Sequence, residues 1–354
     1  MYQGVTYALL AAALFGASTP LAKEPLGEMH PIALAGLLYA GSGAGLAIVQ
    51  LLRVFVIRKA APVVWPSRGE WAWLSAAILF GGIFGPILLM SGLVTTAAST
   101  ASLLLNLESA LTAGLAWFVF CENFDWRIAC GMAAIVAGSV VLSIGPGGLG
   151  GVSRGALLVS AACLCWAIDN NLTRNVSASD PILIAGLKGA VAGVVNLSLA
   201  LSLGYAMPRL GSIAGAAAVG FLGYGLSLVM FVLALRRLGT ARTGAYFALA
   251  PFFGGILAVL FFGDALTFQL CIAAALMALG LWLHLSENHV HEHAHEPIEH
   301  MHSHRHDEHH QHTHAFEWDG TEPHTHPHLH EATVHRHAHF PDIHHRHPHG
   351  RNST

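Results

Sequence analysis

The sequence predicts an all-α polytopic membrane protein, with ten transmembrane helices arranged as two inverted five-helix repeats and a disordered histidine-rich tail behind them. Three observations predict it. Residues 1–288 are apolar almost throughout and carry only thirteen Lys/Arg and ten Asp/Glu, too few to clothe a soluble protein of that size, so their solvent is lipid. Gly, Pro and charged clusters cut this body into ten stretches, each close to the roughly 20 residues a bilayer core requires. The last 66 residues hold 23 of the 25 histidines.

Taken in order, the spans fall at about 4–22, 31–52, 71–91, 95–119, 127–145, 154–173, 181–204, 212–234, 240–262 and 267–285. The first is not a cleaved leader by its pattern. Met1-Tyr2-Gln3-Gly4 has no positive charge ahead of an apolar run that continues to Pro20, so this stretch is expected to stay as a helix. Five scattered cysteines, Cys121, Cys130, Cys163, Cys165 and Cys271, form no CxxC pair or disulfide framework and read as small core residues.

The chain repeats internally. Thr96–Phe124 aligns with Leu238–Leu266, which sets Glu122 on Asp264 and Ser109 on Pro251, and Ala13–Lys23 (ALFGASTPLAK) aligns with Leu164–Arg174 (LCWAIDNNLTR). Each half therefore contains five helices. An odd number forces successive halves into opposite membrane polarity, the inverted-topology architecture of many secondary transporters. The expected units are 1–145, 154–285 and the tail 289–354.

Positive charge sets the expected orientation. With a cytoplasmic N-terminus the inner loops hold Arg53, Arg58, Lys59, Arg68, Arg127, Arg174, Arg236, Arg237 and Arg242, and the outer loops hold Lys23, Arg154 and Arg209. That bias favours both termini inside a plasma membrane of the bacterial inner type.

In the tail the histidines are His289, His291, His293, His295, His300, His302, His304, His306, His309, His310, His312 and His314, then His324, His326, His328, His330, His335, His337, His339, His344, His345, His347 and His349. Neutral imidazole ligates nickel, cobalt, zinc and copper, and His-x-His spacing repeated this often reads as a multi-site binder of such ions. With few apolar residues the segment has no means to build a core and is expected to be disordered without metal. Passive linker and cytosolic buffer are the plain alternatives.

Polar groups at mid-membrane are costly and face the bundle interior. Glu108, with Asn106 beside it and Ser102 and Thr112 one turn away, reads as a carboxylate that takes up a cation and a proton alternately. The alternative is a structural hydrogen bond. Asp169, Asn170 and Asn171 form a second cluster near the end of the sixth span, where oxygen ligands suit a partly hydrated cation and helix capping is the plain reading. Cys165, one turn earlier, reads as packing. Lys188 is the one base well inside the apolar body, placed to pair with an acid, either fixed or broken and remade during a cycle. His30 and His284 read as interfacial residues, and Glu122 and Asp264 as helix caps or partners of nearby bases.

The GASTPLAK end of the first span, the LNLESALTAGLAWFVFCEN stretch (Leu105–Asn123) and its partner LAPFFGGILAVLFFGD (Leu249–Asp264) resemble the paired signatures of EamA-type members of the drug/metabolite transporter superfamily, over about residues 4–285. The resemblance implies a ten-helix secondary transporter, often an exporter of amino acids or other metabolites. With the histidine tail and CWAIDNNLTR (Cys165–Arg174) added, the chain more closely resembles the nickel-resistance efflux branch. Ser109 departs from the pattern, which has proline there.

These readings point to a transporter rather than an enzyme, moving a divalent transition metal, nickel ahead of cobalt, with metal as substrate or tail ligand and no cofactor required. Its partners are the metal ion and the lipid bilayer. A slightly basic body and a tail with ten acids against four arginines exclude nucleic acid as an expected partner, and the absence of a phosphate-cradling loop favours proton exchange over ATP. A metabolite exporter with a metal-buffering tail, or a membrane metal sensor, are the other classes. The orientation has a direct check. A cysteine introduced at Ser303 should react with an impermeant maleimide in everted vesicles and stay unlabelled in intact cells; labelling in intact cells reverses the topology.

Overall fold

The protein, seen in a computed structural model, is described over residues 2–56, 65–120, 126–144, 153–173, 176, 180–238, 240–285, 290–295, 298–304, 324–330 and 333–338. The body is helical. Its elements are α1 (Tyr2–Lys23), α2 (Pro31–Val56), α3 (Glu70–Ala77), α4 (Gly85–Leu93), α5 (Ala98–Leu104), α6 (Leu107–Phe120), α7 (Trp126–Ser143), α8 (Arg154–Thr173), α9 (Pro181–Ser202), α10 (Leu210–Gly220), α11 (Ser227–Leu238), α12 (Thr240–Phe247), α13 (Ala250–Phe261) and α14 (Phe268–Leu285). Among the described residues nine helical stretches are long and apolar enough to cross a bilayer, and Phe268–Leu283 is a shorter apolar tenth.

Among the described residues fourteen helices make up these ten stretches, because four of the stretches are interrupted. The third consists of α3 and α4 joined by a π-helical segment, Ile78–Phe84, and the eighth of α10 and α11 joined by another, Phe221–Leu226. The fourth breaks between α5 and α6, at Leu105–Asn106, and the ninth between α12 and α13, at Ala248–Leu249. The interruptions coincide under the internal repeat. Shifting the Thr96–Phe124 alignment onto the second half carries Gly81 to Gly223 and Asn106 to Ala248.

The sequence sets the fourth span at about 95–119, with Ser109 where the pattern has proline bearing on its local bend. The break is present in both halves, although only the second has its proline, Pro251 at the start of α13. Side chains repair the first one. Ser109 Oγ donates to the Asn106 carbonyl at 2.7 Å, and Asn106 Nδ2 donates to the Leu103 carbonyl at 3.0 Å, each adding a second donor to a carbonyl that already takes a backbone amide of the tightened turn.

At the centre α2 and α9 run antiparallel. Their register is carried by glycine: a Cβ on Gly43 would lie 2.5 Å from the Ala190 nitrogen, and one on Gly193 2.6 Å from the Ala40 nitrogen. Small residues at a membrane helix interface bring backbones into close contact, where dispersion replaces the hydrophobic driving force that lipid cannot supply. Each helix of the pair starts at a side-chain acceptor. Asp180 Oδ1 accepts from the Ile182 and Leu183 nitrogens at the start of α9 and its other oxygen takes Arg53 at 2.8 Å. His30 Nδ1 accepts from the Ile32 nitrogen at the start of α2, and its ring stacks on Tyr205 with centroids 3.5 Å apart.

Around this axis each repeat interleaves with the other. Spans one and two pack against the eighth and ninth, while α8 and α9 pack against the third and fourth. Asp264, expected as a cap, accepts from the Ser99 nitrogen at the start of α5 at 2.7 Å; Glu122 and the side chain of His284 lie outside the described residues. Large apolar side chains on the outer faces, such as Ile48, Phe118, Leu210 and Phe261, are exposed, as a lipid-facing surface requires.

The tail is assigned no fixed structure by its composition. Its described residues form two antiparallel pairs, β1 (Val290–His295) with β4 (Thr333–Ala338), and β2 (Ile298–His304) with β3 (His324–His330). The two-residue spacing of its histidines is also the period of a strand, which is why the pattern is compatible with pairing. His289, His306, His309, His310, His312, His314, His339, His344, His345, His347 and His349 lie outside the described residues, as do the side chains of the other tail histidines.

Glycine contacts separate two kinds of position. Gly43→Ala should destabilise the bundle by about 1–3 kcal/mol through overpacking, whereas Gly215→Ala on α10, which meets nothing within 4 Å, should stabilise it by about 0.5–1 kcal/mol through helix propensity. Melting temperatures of the detergent-purified variants should move in opposite directions; equal shifts would show that the α2–α9 contact is not the tight one.

Candidate functional site

The last turn of α8 carries three consecutive polar residues, and the roughly 100° between neighbours on a helix sends them to different partners. Asp169 turns toward α9. Both its carboxylate oxygens accept from Lys188 Nζ, at 2.6 and 2.7 Å, and Thr173, one turn on, donates to Oδ1 at 2.8 Å while its hydroxyl accepts from Lys188 at 3.3 Å. Asn170 turns toward α6 and donates to Glu108 Oε1 at 2.8 Å and to Thr112 Oγ1 at 3.3 Å. Asn171 turns back onto the backbone, donating to the Ala167 and Thr112 carbonyls.

Glu108 occupies the first turn of α6 because the fourth span is broken two residues earlier. A half-helix that starts inside the membrane presents the positive end of its dipole there, which favours a negative charge. The side chain is half-buried, and close enough to Asp169 and Lys188 to interact with both charges. The ammonium is bonded to the Asp169 carboxylate, while Glu108 Oε1 takes the Asn170 amide.

The third span brings backbone to the group rather than side chains. Gly81, in the π-helical segment, faces Asp169 so closely that a Cβ would sit 1.9 Å from Oδ2. A π-segment's carbonyls take the amide five residues on, and Pro86, five after Gly81, has no N–H to give; Tyr39 Oη and Trp166 Nε1 each donate to the Gly81 carbonyl at 2.9 Å, and Asn196 Nδ2 donates to that of Gly82 at 3.1 Å.

Of the residues expected from sequence, the fold gathers Glu108, Asp169, Asn170, Asn171 and Lys188. Asn106 is not among them. It is buried on the other side of the break, with Nδ2 3.8 Å from Met277 Sδ, and Ser102 is buried against Gly254. Cys165 is half-buried, whereas Cys163 is fully buried and its thiol donates to the Leu104 carbonyl at 3.5 Å. Sequence reasoning missed Gly81, Tyr39, Trp166 and Thr173; the Gly81-Gly82 pair inside an apolar span was the one visible sign. Among the described residues no three or more His, Cys, Asp or Glu side chains converge as a ready-made metal site.

Repeat equivalence shows what surrounds the charges. The first-span alignment places Ser18 at the position of Asp169 and Phe15 at that of Trp166, and the matching helix starts PIALAGLL (Pro31–Leu38) and PILIAGLK (Pro181–Lys188) place Leu38 at that of Lys188. Packing follows the alignment. A Cβ on Gly223 would lie 2.5 Å from Ser18 Cβ, as one on Gly81 would meet Asp169, and Glu108 corresponds to Ala250. The equivalent quadrant is therefore uncharged, lined by Phe15, Tyr224, Tyr39 and Phe247 with ring centroids 5.3–5.8 Å apart.

The sequence pattern of the EamA-like transporter family matches residues 2–144 and again 153–286. An uncharacterized transporter of the archaeon Methanothermobacter thermautotrophicus is 29% identical over 289 residues, covering 78% of this chain and 84% of its own. A crystal structure described simply as that of a protein shares the fold, with a TM-score of 0.57, at 20% identity, over 79% of this chain and 95% of that one. The Gly81 contact has a consequence for the site. Gly81→Ala should leave insertion intact but force the Asp169 carboxylate away from its present place, reducing transport at least tenfold in vesicles; a fully active alanine variant would show that the close approach is dispensable.

Proposed function

The chain belongs to the EamA-like transporter family, and from that premise we propose that it is a secondary transporter exporting a divalent transition-metal ion, nickel ahead of cobalt, in exchange for protons. The observation that carries this reading is the union of a transporter body, whose charged cluster within the spans has two carboxylates to one ammonium, with a tail of 23 histidines. Both termini lie in the cytoplasm on this reading. The tail then concentrates metal beside the inner mouth by raising its local concentration, and Glu108, Asp169, Asn170 and Asn171 offer oxygen donors to an ion that keeps part of its water. With only two acids, the site suits a partly hydrated cation in passage rather than a tightly caged one. Carboxylates that bind a cation give up their protons, which links the two fluxes.

A second reading is favoured by a specific observation, the pairing of Lys188 with Asp169 beside Tyr39 and Trp166. An ammonium and carboxylates flanked by aromatic rings also complement a zwitterion such as an amino acid. One experiment separates the two. Everted vesicles with an imposed proton gradient, acid inside, should accumulate nickel and, more weakly, cobalt, and ignore an amino-acid panel; Glu108→Gln, which keeps the shape and removes the charge, should cut nickel accumulation at least tenfold with insertion unchanged. Accumulation of an amino acid and not of metal would establish the second reading. Normal nickel transport by the Gln variant would make Glu108 structural.

A further inference from the structure

The face of α9 that carries Lys188 carries a second polar residue two turns on, Asn196, which the proposed transport site does not use. Residues 188, 192 and 196 follow one another at the four-residue spacing of a single helix face, and the third span lies against that face. A Cβ on Gly82 would lie 2.8 Å from Ala192 Cβ, so the two spans touch there, with the charged group before the contact and Asn196 beyond it. At 1.5 Å per residue the step along the helix from Lys188 to Asn196 is about 12 Å. With the N-terminus in the cytoplasm α9 runs outward from Asp180, which sets Asn196 on the outer side of Lys188.

Asn196 is fully buried, and the two ends of its amide differ. Nδ2 donates to the Gly82 carbonyl at 3.1 Å, whereas Oδ1 is buried with no hydrogen-bond partner. The bond to a carbonyl fixes which end is nitrogen, since only that end has protons to give. A buried hydroxyl such as that of Ser102, also without a partner, can rotate toward an acceptor; an amide held by its nitrogen cannot. Within a bilayer an acceptor without a donor is a standing cost, and the fold does not require it here. The alignment that sets Leu38 on Lys188 sets Leu46 on Asn196, and Leu46 is buried at 1% exposure beside Gly186 and Gly225. An apolar side chain therefore closes the same position in the other repeat.

We propose that Asn196 Oδ1 is a second station on the transport path, an acceptor satisfied by the donor groups of the transported cation once it has passed the contact between Gly82 and Ala192. The inference rests on the reading of Glu108 and Asp169 as the place where the cation is first held, and it names the next one. For a divalent metal that keeps part of its water the donors are coordinated water molecules, whose O–H groups are strengthened by the charge of the ion. For the amino acid of the second reading the donor is an ammonium. A neutral oxygen suits a place of passage, because it offers a bond without the hold that another carboxylate would exert, and an ion in transit has to leave as readily as it enters.

The test uses the full chain in proteoliposomes with nickel ion as the probe. Asn196→Leu, which installs the residue of the other repeat, should insert and melt like the intact protein and raise the nickel concentration for half-maximal accumulation about tenfold, as the loss of one charge-assisted bond does. A purely structural asparagine gives the opposite pattern, a lower melting temperature with half-saturation unchanged, and that result would overturn the proposal. Asn196→Cys serves if the leucine variant does not fold. During turnover an impermeant methanethiosulfonate applied from the outer side should modify residue 196, read by mass spectrometry of its peptide, and nickel should slow the modification. A cysteine that stays unmodified in a transporting protein places residue 196 off the path and sinks the station. If the intact protein ignores nickel and accumulates an amino acid, the metal reading fails by itself: the station stands if Asn196→Leu raises half-saturation for that amino acid, and falls if the value is unchanged.

Discussion

Every departure from regular helix in this protein is governed by one constraint: inside a bilayer a freed backbone carbonyl or amide has no water to turn to. An interrupted span therefore calls on side chains, from another span or from its own, to bond the backbone at the interruption. The π-helical segment of the third span has its carbonyls taken by Tyr39, Trp166 and Asn196, from three different helices. The break in the fourth span is mended by Ser109 and Asn106 from within. These repairs lie next to the charged group, because the irregular backbone is what allows a half-helix to begin at Glu108 and a carboxylate to lie flat against Gly81.

The α2–α9 pair gives those repairs a fixed frame. Glycine-mediated contact sets the two helices at one distance and one register, and that register places Tyr39 on α2 and Lys188 on α9 against the same stretch of the third span. Its two ends are closed by different chemistry, an ion pair between Arg53 and Asp180 at one and the stacked His30 and Tyr205 at the other. Duplication supplied a symmetric scaffold, and the two quadrants then diverged: one holds Glu108, Asp169 and Lys188, and the other holds Ala250, Ser18 and Leu38 among aromatic rings.

Much of this was legible in the residues. Runs of about 20 apolar residues marked the spans, since length and hydropathy are local properties that no tertiary contact alters, and the self-similarity of the halves implied both their inversion and the equivalence of Ser18 with Asp169. The charged residues of the site were legible for a related reason: at mid-membrane a Glu, Asp or Lys stands out against its background. What was not legible was companionship. Asn106, adjacent in sequence to the Glu108 cluster, points away toward Met277, while Trp166, inside an otherwise apolar stretch, reaches across to Gly81. Side-chain direction around a break depends on how the backbone leaves the regular helix, and no periodicity rule covers that.

The sequence by itself determined that the chain is a ten-span, twice-repeated membrane protein with a histidine-rich extension, because hydropathy, repeat and composition are sums over local residues. Only the tertiary structure decided that the fourth and ninth spans are broken, that the third and eighth pass through π-helical segments, and that Asp169 meets Lys188 while Glu108 meets Asn170. Those outcomes turn on which helix supplies a hydrogen bond to which freed backbone group and on where a missing Cβ lets two chains touch. Such terms depend on pairs of residues far apart in the chain, 114 positions in the bond from Asn196 to Gly82 and 171 in that from Asn106 to Met277, and they have no value until the helices are packed.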